Sequence, residues 1–279
     1  MRRSPLVVNE VAVPLTGLDP VWPGLRIAHI SDFHFRRWNR TVEAARDALL
    51  VTDYDFLVFT GDIGNMIRFW RRSARLAKRF FEPLVDRAPM YAVLGNHDNP
   101  AMPQEGDLPL RFLRNESIEL THDGVVFELA GVEQTEYRRE GDLDAALRRP
   151  PSKTFTILLA HYPSTVFRLP PDRVDLLLCG HTHGGQIRLP RFGCLWPNDR
   201  IPRQLARGLH RVGNTFLHVT PGLGVSPPIP LRLHCPPEVS ILTVSAARLV
   251  PTGSRGAASG GTCEAEVEND AVTNSFLKQ

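Results

Sequence analysis

Short apolar runs recur along the chain, and each is closed by a cluster of small and polar residues. Leu25-Arg26-Ile27-Ala28-His29-Ile30 runs into Ser31-Asp32-Phe33-His34, and Phe56-Leu57-Val58-Phe59 runs into Thr60-Gly61-Asp62. Met90-Tyr91-Ala92-Val93-Leu94 runs into Gly95-Asn96-His97-Asp98. Phe155 to Ala160 leads to His161, and Val174 to Cys179 leads to Gly180-His181-Thr182-His183-Gly184-Gly185-Gln186. Brief apolar runs bounded by glycine and polar residues read as buried strands. Between the first three the period changes. Thr41 to Leu50 places Val42, Ala45 and Leu49 on one helical face, with Thr41 as N-cap, and Met66 to Val85 is also helical. Strand, helix, strand, helix, strand predicts a mostly parallel α/β layer.

The flanks are less regular. Residues 1–24 form a lead-in, with alternation from Val11 to Leu15 that suits an edge strand. In the middle, a helix is predicted over Asp107 to Arg114, a strand over Val125 to Leu129 and a short helix over Leu143 to Arg148. Strands over Gln186 to Leu189, Thr215 to Val219 and Val239 to Val244 suggest a second sheet packed on the first. Residues 246–279, rich in Gly, Ser, Ala and charge, have no periodicity and read as a disordered tail.

Composition narrows the field. The chain has 279 residues, enough for a sizeable core, and 42% are hydrophobic, which excludes a disordered chain. Net charge is only +3, so no obligate nucleic-acid partner is expected. The cysteines are Cys179, Cys194, Cys235 and Cys263, with no C-x-x-C, which points to reduced thiols and a cytoplasmic setting. Asn9 and Glu10 interrupt the first apolar run, so neither a signal peptide nor a membrane span is expected.

The candidate chemistry lies just past the strand ends. Asp32, His34, Asp62, Asn96, His161, His181 and His183 come from five separate segments. In open α/β sheets, ligands bind outside the carboxyl ends of the strands. Carboxylates, an amide and neutral imidazoles together suit divalent manganese, iron or zinc. Seven donors exceed what one such ion takes, and they fit two ions sharing a bridging carboxylate. Two metals about 3.5–4 Å apart form a clamp for displacement at phosphorus.

These blocks, Ser31-Asp32-Phe33-His34, Gly61-Asp62, Gly95-Asn96-His97-Asp98, His161 and Gly180-His181-Thr182-His183, resemble in order those of the calcineurin-like metallophosphoesterases. The resemblance covers roughly residues 25–245, read as the catalytic domain. Gly180 to Gln186, Thr220 to Ser226 and Pro237-Glu238-Val239 are similar to the bacterial YkuE/YaeI-like phosphodiesterase branch, some members of which act on UDP-diacylglucosamine. The resemblance implies a four-layer α/β-β/α sandwich of two mixed sheets flanked by helices. It implies two divalent ions, manganese first, with iron or zinc as alternatives. Asp32, His34 and His183 hold one, Asn96, His161 and His181 the other, and Asp62 bridges. His97 is implied as the proton donor to the leaving group, with Asp98 orienting its imidazole.

Two departures from the family pattern stand out. Asn65 replaces a common Asp, and Phe35 replaces a common Gly, which suggests a narrower site mouth. His29, His122, His210, His218 and His234 read as structural or surface histidines, and Arg232 and Glu238 as a surface ion pair or substrate contacts. The basic, aromatic stretch 67–81 reads first as a covering helix with a solvated face. Its alternative is peripheral contact with an anionic membrane, at the inner face, presenting a lipid-linked substrate. Arg36, Arg37 and Arg40 add charge near the first ligand loop. The reaction expected is hydrolysis of a phosphodiester or pyrophosphate bond. A phosphomonoesterase and a non-catalytic metal-binding scaffold are the alternatives, and His97 argues against the scaffold, which needs no proton donor.

Overall fold

In the computed structural model, which describes residues 5–135, 140–150, 154–226 and 231–247, each apolar run above contains a strand. The alternation predicted from Val11 extends back to Val7, and Val7–Leu15 forms strand β1. Leu25–Ile30 is β2 and Arg40–Val51 is helix α1, which buries Val42, Ala45 and Leu49. Its cap is Asn39, not Thr41. The Asn39 Oδ1 accepts from the Thr41 and Val42 N–H groups at 2.9 and 3.1 Å, so the helix starts one residue earlier. Phe56–Phe59 is β3.

The long helix expected over 66–85 is three pieces: a 3₁₀ turn Ile67–Phe69, helix α2 Trp70–Phe81 and a 3₁₀ turn Glu82–Leu84 that contains Pro83. Met90–Ala92 is β4 and Met102–Glu105 is α3. The helix predicted over 107–114 does not form. Pro109 lacks the N–H a helix interior needs, and Arg111–Phe112 instead becomes β5, parallel to Tyr91–Ala92. Glu116–His122 (β6) and Val125–Gly131 (β7) are a hairpin across Asp123-Gly124, both at positive φ. Asp-Gly between alternating strands is a hairpin signal that the periodicity reading passed over for β6.

Leu143–Ala146 is α4, Thr156–Leu159 is β8 and Leu176–Cys179 is β9. The strand expected over 186–189 shrinks to Arg188–Leu189 (β10), paired with Gly193–Cys194 (β11). Gly208–Val212 (β12) joins Thr215–Val219 (β13) in a third unforeseen hairpin, and Glu238–Ala246 is β14. The tail predicted over 246–279 lies outside the described residues apart from Ala246 and Ala247. Among the described residues no helix is long and apolar enough to cross a membrane.

Two mixed six-stranded sheets result. Their orders are β1-β14-β2-β3-β4-β5 and β12-β13-β9-β8-β7-β6. In the first, β2 to β5 run parallel, and in the second β13, β9, β8 and β7 do. Three apolar layers hold them. Phe33, Phe59, Phe80 and Phe81 pack α1 and α2 onto the first sheet. Ile27, Val58, Phe127, Phe155 and Leu178 fill the space between the sheets, with the Phe127 and Phe155 rings stacked at 5.0 Å. Leu143, Ala146 and Val166 cover the far face of the second. The four-layer α/β-β/α arrangement is therefore present, and its outer layer on the second sheet is thin. Every parallel strand of the two central groups delivers its carboxyl end to one edge.

Candidate metal centre

The loops that leave β2, β3, β4, β8 and β9 are tied to one another through their backbones. Asp32 N–H donates to the Gly61 carbonyl at 2.9 Å, His34 N–H to Asp62 at 3.1 Å and Gly180 N–H to His161 at 3.2 Å. Five of the seven predicted ligands have left-handed backbone: Asp32 (φ 54°), His34 (44°), Asp62 (62°), His181 (67°) and His183 (53°). Such strain costs roughly 1–3 kcal/mol per residue and clusters at functional sites. Glycine is required where the loops touch. A Cβ on Gly95 would approach the Asp62 nitrogen to 2.7 Å, and one on Gly180 would overlap Ser31 Oγ and Asp32 Oδ2.

The structure brings all seven predicted ligands together. Asp32, His34 and His183 form one group and Asp62, His161 and His181 another, each with its donor atoms within 4.8 Å of one another. His34 Nε2 is 2.9 Å from His183 Nε2, and His183 Nε2 is 3.5 Å from Asp32 Oδ1. Asp62 Oδ2 lies 3.5 Å from His34 Nε2 and 3.2 Å from His161 Nε2, so a single oxygen faces both groups. Asn96 Oδ1 is 3.1 Å from His161 Nε2. Backbone carbonyls set the imidazole orientations. His161 Nδ1–H donates to Thr60 O at 2.7 Å, which leaves Nε2 facing Asp62. His181 Nε2–H donates to Asn198 O at 2.7 Å, which leaves Nδ1 free.

The electrostatics suit cations. Burial pushes His34 down to about 4 and His181 down to about 3, and lowers His183 as well, so these rings are neutral and keep a lone pair. Burial works to raise the Asp62 carboxyl, but the adjoining His161 and His34 outweigh it and hold it well below the usual range. Burial likewise opposes charge on His161, yet Asp62 and Asp32 push it up to about 10. Burial raises Asp32 to about 7, so at neutral pH that carboxyl is only partly ionised, and the proton on His161 balances the charge of Asp62. Asp32 Oδ1 is buried without a hydrogen-bond partner, and two neutral imidazole nitrogens face each other beside it. An unpartnered carboxyl oxygen and converging imidazole nitrogens are the donor chemistry a divalent ion satisfies, so the residues fit the implied metals.

Residues 25–185 match the family model of the calcineurin-like phosphoesterases. The chain belongs to the calcineurin-like phosphoesterase family. Members depend on a dinuclear metal centre and hydrolyse phosphate esters, so this chain is a metal-dependent phosphoester hydrolase. It is 34% identical over 164 residues to the Escherichia coli phosphodiesterase YaeI, covering 57% of this chain and 60% of that protein. It is 28% identical over 239 residues to the Bacillus subtilis metallophosphoesterase YkuE, covering 79% of each. An uncharacterised Aquifex aeolicus metallophosphoesterase is 31% identical over 237 residues, covering 79% of this chain and 85% of that one.

Several side chains of this calcineurin-like phosphoesterase act differently from the expectation. Asp98 is fully buried, and its oxygens accept from the backbone N–H groups of Asp62 (2.7 Å), Gly64 (3.0 Å) and Gly95 (3.0 Å). They face these loops rather than the His97 imidazole, so Asp98 ties the β3 and β4 loops together instead of orienting His97. Phe35 does not narrow the mouth. It is buried against Phe33 at 4.6 Å, beneath α2. Asn65, with its amide oxygen toward the guanidinium, accepts from Arg36 Nε and Nη2 at 3.3 Å.

Glu238 is buried, not superficial, and meets Arg207, Asn9 and Ser240. The Arg232 guanidinium donates to the carbonyls of Pro221, Gly222, Gly224 and Cys235 and so fixes a loop. His29 is a core histidine as expected. Its Nδ1 meets His218 Nδ1 at 3.0 Å and its Nε2 meets Thr60 Oγ1 at 2.9 Å.

A cavity of about 1000 Å³ opens on the centre, lined by Asn96, His97, Tyr162, His181, Trp196 and Arg203 among others. Tyr162 and Asn198 were not foreseen. The Tyr162 ring lies 4.4 Å from that of His181, and Asn198 holds the same imidazole through a carbonyl that any residue would provide.

Proposed function

We propose that the protein is a phosphodiesterase that hydrolyses a phosphodiester or pyrophosphate bond at this centre. The observation that supports the reading best is the placement of His97. Its N–H donates to Asp62 Oδ1 at 2.9 Å, which pins the residue beside the bridging carboxylate, while it lines the open cavity. Its ring packs edge-on against His34 at 5.0 Å, and His34, His161 and His183 are buried behind it.

In this reading Asp32, His34 and His183 hold one ion, Asn96, His161 and His181 the other, and Asp62 both. Bound there, two divalent ions supply Lewis acidity, making hydroxide available near neutral pH and drawing charge from the phosphoryl group. Manganese is the first candidate, with iron or zinc next. His97 donates a proton to the leaving oxygen from the cavity side. Arg200 and Arg203 on the cavity wall attract the phosphate anion. A lipid-linked nucleotide diphosphate such as UDP-diacylglucosamine is one diester to try, in a cytoplasmic enzyme working at the inner membrane face.

Hydrolysis of bis-p-nitrophenyl phosphate and of p-nitrophenyl phosphate, with Mn²⁺ titrated into chelated protein, tests the reading. Metal-dependent release from the diester is expected. Release mainly from the monoester would make the protein a phosphomonoesterase, and two bound metals with no release from either would favour the scaffold. His97→Ala is expected to keep both metals and lose most turnover. Unchanged turnover would remove His97 from the reaction.

A further inference from the structure

The loop that supplies Asn198 to His181 begins as the β10–β11 hairpin, and its side chains divide sharply. Cys194 faces inward and packs with Ile201 and Ala206 in a small cluster of its own. The outward residues are large and apolar: Phe192 is 76% exposed and Trp196 74%, with Leu195 at 40% and Leu189 at 38%. Exposed apolar groups gathered on one element mark an interaction site. Charge around them is one-sided. From Arg188 to Arg207 the chain carries Arg188, Arg191, Arg200, Arg203 and Arg207 against a single acid, Asp199. Arg207 is engaged by Glu238, whereas Arg191, Arg200 and Arg203 are exposed. The turn leaving the Asp62 loop repeats the combination, with exposed Met66 and Phe69 and the Arg68 guanidinium 4.6 Å from the Phe69 ring.

We infer that the hairpin is a docking surface for an anionic lipid bilayer, and that the enzyme works on phosphodiesters presented at that surface. Tryptophan and phenylalanine flanked by arginine is the composition that settles at a headgroup boundary. A second copy of the chain fits poorly, because it would press one arginine strip against another. Bases of a nucleic acid would stack on the two rings but gain little from Leu189 and Leu195. Leu195, Trp196, Arg200 and Arg203 also line the cavity above the metal centre, so a bilayer on the hairpin adjoins the substrate entrance. Helix α2 does not serve this purpose. Its apolar residues Trp70, Phe80 and Phe81 are buried on the sheet, and Arg71 and Lys78 are paired with Glu105 and Asp107.

The docking claim stands without turnover, whereas the substrate claim rests on the phosphodiesterase reading, so the two are measured separately. The full chain is sedimented with phosphatidylcholine vesicles, with and without phosphatidylglycerol, across a salt series. Binding only to the anionic vesicles, weakening with salt, is expected. Phe192→Ser should lower the partition coefficient about tenfold, and replacing Arg191, Arg200 and Arg203 together by Gln about a hundredfold. Phe192→Ser lies outside the cavity and should hydrolyse bis-p-nitrophenyl phosphate like the parent. Docking is overturned by no binding to anionic vesicles, by binding unchanged in Phe192→Ser, or by a dimer that Phe192→Ser dissolves. Vesicle binding without diester hydrolysis would refute the phosphodiesterase reading alone.

Discussion

Removing the Asp98 carboxylate tests how the metal centre is held. Burial, and then the negative Asp62 nearby, raise Asp98 to about 6, so at pH 7 it is mostly ionised. In that state it accepts from three backbone N–H groups, two of them on the Asp62 loop. Asp98→Ala leaves all three donors in a buried site. An orphaned donor costs about 1–3 kcal/mol, and water entering the space left by the side chain, together with relief of repulsion against Asp62, puts the total near the lower end, about 3–5 kcal/mol. For a domain of this size that lowers Tm by about 6–20 °C. Asp98→Asn keeps one oxygen, enough for the Asp62 and Gly95 N–H groups that share Oδ2, but turns an NH₂ toward Gly64. That is one lost bond, about 1–3 kcal/mol.

Because the Asp62 backbone is one of the things released, metal content should fall in the same order: parent, Asn, Ala. Thermal unfolding and metal analysis by mass spectrometry measure both. The reasoning fails if Asp98→Ala keeps the parent Tm and two metals while only kcat drops. That pattern would put Asp98 behind His97, as its place in the sequence suggests.

Asp62→Ala should lose both metals and all turnover, since one oxygen faces both groups; two retained metals would dismiss the bridging role. Chelation should lower Tm by about 5–10 °C, the loss expected when ligand at a hundred times Kd, worth about 2.7 kcal/mol, is withdrawn, and Mn²⁺ should restore it. An unchanged Tm would mean the loops are set without metal. Gly180→Ala forces a methyl onto Ser31 Oγ and Asp32 Oδ2, so insoluble or metal-poor protein is expected, and a normal yield with full metal content would contradict that close approach. Burial lowers His218 to about 4 while the unfolded residue titrates near 6.5, so the unfolded state binds more protons between these values. Its contribution to stability is complete above about 6.5 and falls away toward pH 4, by about 2 kcal/mol at pH 5. Urea unfolding of the parent and of His218→Gln at pH 7 and pH 5 should show a shallower pH dependence in the variant.

What could be read from the chain, and what could not, follows the kind of group that does the work. Strands β3, β8 and β9 are legible because parallel strands buried on both faces read as near-continuous apolar runs. The hairpin β6–β7 has one face less buried and carries Glu116, Glu119 and Thr121, so its strand β6 shows only in the Asp-Gly turn. The seven candidate ligands are legible because each offers its donor on a side chain. Thr60 and Asn198 are not, because their carbonyls hold His161 and His181, and every residue has a carbonyl. Asp98 misleads for a related reason. Adjacency to His97 in the chain suggests a pair, but its partners are backbone donors, which leave no mark on the sequence.

The same point explains the conformation of the candidate ligands. Asp32, His34, Asp62, His181 and His183 all adopt backbone angles that side chains disfavour, and at roughly 1–3 kcal/mol each the sum rivals the stability of a whole domain. No single contact offsets that much. The offset is distributed: β2 and β3 loops bonded through Asp32 and His34, β8 and β9 loops through Gly180, and β3 and β4 loops through Asp98. Each loop is held in its strained form by the next. Loosening one tie should therefore disturb ligands on several strands at once, which is why a residue that need not touch metal, Asp98, is expected to govern how much metal the protein keeps.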